Sequence, residues 1–143
     1  MNMMSKYIPT IVITGPTASG KTKLSLDLAK KINGEIINAD VMQMYEGFNI
    51  LKAMPSKEEK CEIKHYLFGV IKKEIKFTVA DWIKLAKEKI SEIHKKGKVP
   101  IIVGGSGMYL NAAINGLSEI PEIKKIYRYK AEHCYRTKGF DFI

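Results

Sequence analysis

Residues 15–22 read Gly-Pro-Thr-Ala-Ser-Gly-Lys-Thr and match the pattern G-x-x-x-x-G-K-[ST]. An apolar, β-branched run, Thr10–Thr14, enters this loop, and an amphipathic segment leaves it. That context constrains the chain more than any other feature. Gly15 and Gly20 let the backbone curl so that successive N–H groups face phosphate oxygens. Pro16, Thr17, Ala18 and Ser19 fill the variable positions between them. The start of the following helix adds partial positive charge. Lys21 adds a full charge on the outer phosphates, and the Thr22 hydroxyl is placed to ligate magnesium. The loop therefore predicts a grip on a diphosphate or a nucleotide, ATP included, without saying that ATP is hydrolysed.

The rest of the chain alternates strand and helix. A helix is predicted from about Gly20 to Ile32, with Leu24, Leu28 and Ile32 on its apolar face and Gly34 as its stop. Glu35–Asn38 reads as a second strand, residues 40–60 as irregular, and Tyr66–Ile71 as a further strand. Thr78–Lys96 is the clearest helix. Thr78 and Asp81 have capping-box spacing, and Val79, Trp82, Ile83, Ala86, Ile90 and Ile93 form one apolar stripe. Val99–Val103 reads as a buried strand leading into Gly104-Gly105, and Ser106–Asn115 as a helix closed by Gly116. Beyond Pro121 the chain turns basic and aromatic, with Arg128 among lysines and tyrosines. This order predicts an α/β fold, a P-loop NTPase-like parallel sheet flanked by helices. A parallel sheet needs both faces covered, and the few strands visible predict a truncated chain.

With 143 residues, of which 45% are apolar, one domain with a buried core is expected. Lys and Arg number 24 against 15 acids, a net charge of +9 that favours polyanionic partners. Cys61 and Cys134 form neither a metal spacing nor a disulfide framework, and His65, His94 and His133 are dispersed. No run is long and apolar enough for a signal peptide or a membrane span. A soluble cytoplasmic protein, monomeric and without a membrane partner, is the expectation.

Asp40 follows the apolar pair Ile36-Ile37, so it is a candidate acid at a strand end, whether for magnesium, for a proton or as a loop cap. Asn38-Ala39-Asp40-Val41-Met42-Gln43-Met44-Tyr45, His65-Tyr66-Leu67, Val79-Ala80-Asp81-Trp82, Val103-Gly104-Gly105-Ser106-Gly107-Met108-Tyr109-Leu110, Gly116-Leu117-Ser118 and Pro121 join the phosphate loop. Together they resemble the tRNA dimethylallyltransferases, also called tRNA isopentenyltransferases, from about Ile11 to the C-terminus. The resemblance implies transfer of a dimethylallyl group from dimethylallyl diphosphate to the exocyclic amine of the adenosine beside the tRNA anticodon. It implies that residues 15–22 hold the diphosphate with magnesium at Thr22, and that Lys21 and Ser106 serve the reaction. It also implies Asp40 as general base and Gln43 as a contact to the target base. Asp40, Val41, Met42, Gln43, Ser106 and Arg128 then form the tRNA-binding set. Ser106 has a second reading as a helix N-cap, and Arg128 as one solvated charge among several.

Two departures stand out. Val41 replaces the serine usual after the aspartate, and Asn49-Ile50-Leu51-Lys52-Ala53-Met54-Pro55 replaces Asp-Ile-Gly-Thr-Ala-Lys-Pro. Family chains are about twice as long, so the resemblance implies a partial prenyltransferase core over residues 1–143. The helical anticodon-arm insertion and the C-terminal half would be absent, and activity would be low. A P-loop kinase for a nucleotide or metabolite is a competing reading, although no arginine precedes Arg128 to build its lid. Adenylate isopentenylation and a non-enzymatic RNA-binding remnant complete the alternatives.

Overall fold

The structure is a computed structural model that describes residues 9–47, 55, 61–117 and 123–139. In chain order they form β1 (Ile11–Thr14), α1 (Lys21–Ile32), β2 (Gly34–Asn38), α2 (Val41–Met44), β3 (His65–Tyr66), α3 (Val79–Lys95), β4 (Val99–Gly104), α4 (Gly107–Asn115) and α5 (Lys125–Lys138). The four strands pair in parallel in the order β1-β4-β2-β3. The last strand of the sequence therefore lies between the first two, with Ile101 beside both Ile11 and Ile36.

Apolar side chains cover both faces of this sheet, which is why the strands read as unbroken apolar runs. On one face Ile13, Ile36, Ile101 and Val103 pack with Leu26 and Ala29 of α1. On the other, Ile37 and Ile102 pack with Trp82, Ala86 and Ile93 of α3 and with Tyr109 and Leu110 of α4. Trp82 is fully buried and stacks on Tyr109 with ring centroids 5.2 Å apart. The predicted capping box holds α3: Thr78 accepts from the Asp81 N–H, and the Asp81 carboxylate accepts from the Thr78 N–H.

Four sequence-based expectations need correction. The buried face of α1 is Ser25, Leu26 and Ala29, flanked by Leu28 and Ile32, whereas Leu24 is 57% exposed. Ser25 belongs there because its hydroxyl donates to the Thr22 carbonyl at 2.7 Å and so carries no unmet hydrogen bond inward. Asn33, in the left-handed region at φ 55°, ends the helix, while Gly34 already belongs to β2. Part of the span expected to be irregular is the short helix α2. The strand expected over Tyr66–Ile71 is only two residues long, because Leu67 and Gly69 take positive φ and turn the chain. Gly69, Val70 and Ile71 then donate their N–H groups to the Gln43 and Met44 carbonyls. The departures at 49–54, and Ser118 and Pro121, lie outside the described residues.

A charged cluster lies under the sheet edge. Glu35 is 3% exposed on β2, yet its carboxylate receives Lys98 Nζ at 2.7 Å and Tyr66 Oη at 2.8 Å. Lys96 Nζ bonds both Tyr66 Oη and Glu92 Oε1 at 2.8 Å. Burial pushes the Glu35 carboxyl up, but these partners together outweigh it and hold it below the ordinary value. Hydrogen bonds from Lys96, Lys89 and Tyr66 bring Glu92 down to about 2. Burial, aided by the two carboxylates and opposed by the Lys96 hydrogen bond, pushes the Tyr66 phenol up to about 12, so it stays a neutral donor.

Two outcomes follow from this packing. A Cβ on Gly104 would lie 2.4 Å from the backbone carbon and oxygen of Ala39. Gly104→Ala must therefore push two strand ends apart and is expected to cost at least about 3 kcal/mol in urea unfolding. Gly34→Ala, whose Cβ would meet the end of the Ile101 side chain at 2.7 Å and the Val99 carbonyl oxygen at 3.1 Å, should cost less, because a side-chain tip can give way where backbone cannot. Both Glu35 and Glu92 are harder to protonate in the folded chain, so their stabilisation is full above the ordinary glutamate value of 4.5 and drains as the pH falls below it. Glu35→Gln should lower stability at pH 7 by about 1–3 kcal/mol. Circular dichroism between pH 7 and pH 2 should show that gap closing below pH 4.5.

Candidate functional site

The loop after β1 is shaped by its main chain. Gly20 sits in the left-handed region (φ 83°, ψ 9°) at the N-cap of α1, and Ala18 takes φ 61°. An alanine there costs about 1–2 kcal/mol, a strain the surrounding loop must hold in place. No side chain caps α1, so its first-turn N–H groups remain available to an anion at the positive end of the helix. A Cβ on Gly15 would press on Ser19 Oγ at 3.1 Å, which is why glycine opens the turn. The Lys21 ammonium folds over the loop, bonding the Pro16 carbonyl and lying 3.5 Å from Ser19 Oγ.

The Gly104-Gly105 pair brings a second segment against this loop. Gly104 touches the Ala39 backbone, and the Ala39 N–H donates to the Val103 carbonyl at 2.8 Å. Gly105 faces the Gly15 carbonyl, with a Cβ there falling at 3.4 Å. The ends of β1, β2 and β4 are thereby held together, and Asp40 emerges beside the phosphate loop. Asp40 caps α2, its Oδ1 accepting from the Met42 N–H at 3.0 Å. Ser106 occupies the N-cap position of α4 without capping it. Its Oγ instead accepts from the Val41 N–H at 3.3 Å, which ties β4 to the Asp40 segment.

A cleft of about 710 Å³ opens here. Thr17, Ala18, Gly20, Lys21 and Thr22 line it together with Asp40 and Gln43. Leu26, Ile36 and Phe68 give it an apolar wall. Gly15, Pro16 and Ser19 shape the loop without lining the cleft. Val41 and Ser106 support Asp40 from behind, and the Met42 side chain is exposed. Arg128 is not brought to the cleft; it sits on α5, a helix with no buried residue. That helix carries exposed Tyr127, Tyr129 and Tyr135 among its cations.

Two features escaped the sequence reading. Lys23, Asp27 and Lys30 also line the cleft, and their i, i+4, i+7 spacing on α1 was the available signal. Asn38 is fully buried and bonds both peptide groups of Asp40, a role with no signature in residue type or spacing. For magnesium, the Thr22 hydroxyl and the Asp40 carboxylate offer hard oxygen donors in one cleft. Among the described residues no group of three or more His, Cys, Asp or Glu is gathered to hold a metal. That donor set suits an ion shared with phosphate oxygens and water, the usual habit of magnesium.

Comparison with known proteins places the chain in a family. The family model described as IPP transferase matches residues 43–142. The tRNA dimethylallyltransferase of Pelagibacter ubique is 47% identical over 136 residues, 95% of this chain and 44% of the relative. That of Thermoanaerobacter pseudethanolicus is 50% identical over 138 residues, again 95% and 44%. The crystal structure of the Bacillus halodurans tRNA isopentenylpyrophosphate transferase superposes with a TM-score of 0.76 at 39% identity, covering 93% of this chain and 44% of that one. A eukaryotic dimethylallyltransferase described as acting on tRNA gives 0.75 at 33% identity, covering 83% and 31%. The chain thus spans less than half the length of these relatives.

Lys21 makes no contact that the fold requires, and a charge-assisted bond to phosphate is worth about 1.5–3 kcal/mol. Lys21→Ala is expected to weaken pyrophosphate binding about 10–100-fold in calorimetry, with the melting temperature of the unliganded chain unchanged.

Proposed function

The chain belongs to the IPP transferase family, and on that premise we propose that it supplies the donor grip and the adenine-facing segment of a tRNA dimethylallyltransferase. The observation that carries this reading is the single cleft in which the phosphate loop, Asp40 and Gln43 meet. A carboxylate and an amide beside the phosphate loop suit an acceptor base whose amine must lose a proton. Among the described residues lining the cleft, the cations are Lys21, Lys23 and Lys30, with no arginine of the kind a kinase lid employs.

In the proposed reaction the exocyclic amine of the adenosine attacks the allylic carbon of dimethylallyl diphosphate as its carbon–oxygen bond breaks. Negative charge gathers on the departing pyrophosphate. The uncapped first-turn N–H groups of α1, with the Lys21 ammonium once it swings from the Pro16 carbonyl, would meet that charge, and one well-placed donor of this kind is worth about 3–4 kcal/mol. Magnesium, held by Thr22, would neutralise part of the same charge when bound. Asp40 takes the proton released by the amine. Its Oδ1 is engaged by the Met42 N–H, which leaves Oδ2 to face the substrate. Gln43 is suited to a two-point contact with the adenine edge. The Ser106 hydroxyl, accepting from the Val41 N–H, serves the reaction by holding the Asp40 segment in place.

The acceptor in this reading is tRNA, with the target base turned out of its loop stack. Exposed α5, with Arg128 and its tyrosines, is the surface offered to RNA phosphates and bases. The setting is a cytoplasmic monomer, and no helix among the described residues is long and apolar enough to cross a membrane.

Asp40→Ala is expected to cut dimethylallyl transfer to tRNA about 10²–10⁴-fold. Calorimetric affinity for dimethylallyl diphosphate should stay within about twofold. Loss of that affinity would move Asp40 into the magnesium site. ATP displacing labelled pyrophosphate better than dimethylallyl diphosphate would replace the transferase with a kinase, and prenylation of free adenylate but not tRNA would move the acceptor.

A further inference from the structure

We propose that Asn38 is the positioning residue of the site, holding Asp40 in register with the phosphate loop, and that Trp82 anchors it; this rests on the reading of Asp40 as the proton acceptor. Asn38 is fully buried at the end of β2. Its Nδ2 donates to the Asp40 carbonyl at 2.9 Å and to the Leu67 carbonyl at 3.0 Å. Its Oδ1 accepts from the Asp40 N–H at 2.9 Å. Both amide protons and the amide oxygen are thus committed, and the peptide groups on either side of the Asp40 Cα are gripped by one side chain. The direction of the Asp40 Cα–Cβ bond is fixed as a result.

The clamp is itself held. The Asn38 carbonyl accepts from Trp82 Nε1 at 2.9 Å, inside the core of α3. The Trp82 ring lies parallel to that of Tyr109 on α4, at an interplanar angle of 5°. Helix α4 starts at Ser106, whose hydroxyl accepts from the Val41 N–H, one residue beyond Asp40. The path from Asn38 through Trp82, Tyr109 and Ser106 therefore closes on the segment it started from.

Only an amide of this length fits. An aspartate at 38 would point acceptors at two carbonyls, an alanine would leave three buried groups unpaired, and a serine would reach the Asp40 N–H but not Leu67. A polar residue needed for folding alone would show its loss throughout the sheet. A positioning residue shows it at Asp40 and leaves the phosphate loop intact.

The test is amide hydrogen exchange by NMR on the full 143-residue chain, with pyrophosphate affinity as the control. Asn38→Asp should speed exchange at the Asp40 and Met42 amides at least tenfold and shift the Asp40 carboxyl carbon signal. Amides of β1 and α1 should keep their rates, and pyrophosphate affinity should stay within twofold. Asn38→Ser should restore protection of the Asp40 amide in part. Trp82→Phe keeps an aromatic ring against Tyr109 and removes the Nε1 donor together with part of the buried indole, so its effect is read as the excess at Asp40 and Met42 over the amides of α3. It should give a smaller acceleration at the same two amides, and it decides the matter if the aspartate variant does not fold. Unchanged exchange at Asp40 and Met42, or acceleration spread equally through β1, α1 and β4, would overturn the proposal. In dimethylallyl transfer, Asn38→Ser should lower kcat with KM for the diphosphate unchanged; a raised KM at full kcat would also overturn it. Failure of the transferase reading shows instead as ATP displacing labelled pyrophosphate better than dimethylallyl diphosphate does, while the exchange result still decides the role of Asn38.

Discussion

Everything in this fold is arranged around the backbone contact between Gly104 and Ala39. Strand β4 is made last but lies between β1 and β2, so it must pass within backbone distance of the segment leaving β2. A residue without a Cβ is the only one that permits this. Once that approach is made, three strand ends converge: β1 delivers the phosphate loop, β2 delivers Asp40, and β4 delivers Ser106. In open parallel sheets ligands gather at such carboxyl ends, and here the gathering depends on one missing methyl group.

The charged and polar groups divide into two kinds. Those around Glu35 and Tyr66 satisfy one another completely beneath the sheet and hold β2, β3, α3 and the turn before β4 together. Breaking one partner there leaves a buried charge unpaired, which costs more than the cluster as a whole contributes. Those around Asp40 are satisfied on one side only. Asn38 and Met42 occupy the backbone and Oδ1, and the residue lines the cleft. One-sided satisfaction is what a reacting group needs and what a structural group avoids.

Sequence and structure agree where a physical pattern is long or reciprocal. Helix α3 was legible because its capping box and its apolar stripe report the same boundaries, and β1 and β4 were legible as strands covered on both faces. Helix α1 was placed correctly but its inward face was misread, because Ser25 counts as polar until its bond to Thr22 is known. Helix α2 is too short to show a period, and β3 ends at Leu67, whose positive φ no local pattern announces. Glu35 reads as a surface charge because its lysine partners lie about sixty residues away. Within the site, the phosphate loop could be read from its spacing alone. Asp40 was a candidate from its place after an apolar strand, but its role, and Gln43 altogether, came from resemblance, since their grouping with the loop depends on strand order. Arg128 was carried over by counting residues, and the fold does not bring it to the cleft.

The phosphate loop has a consequence for how such a chain can change over generations. Its grip is encoded in torsion angles and main-chain N–H groups, while Pro16, Thr17 and Ala18 are exposed and make no side-chain bond among the described residues. Backbone dipoles do not titrate, and they cannot be removed by replacing one side chain with another. Residues 16–18 can therefore drift in chemistry as long as the left-handed turns at Ala18 and Gly20 survive. Drift at Gly104 or Asn38, which set the backbone around the site, is far less tolerable. Selection should bear hardest on the residues that aim the site and only lightly on several that surround its ligand.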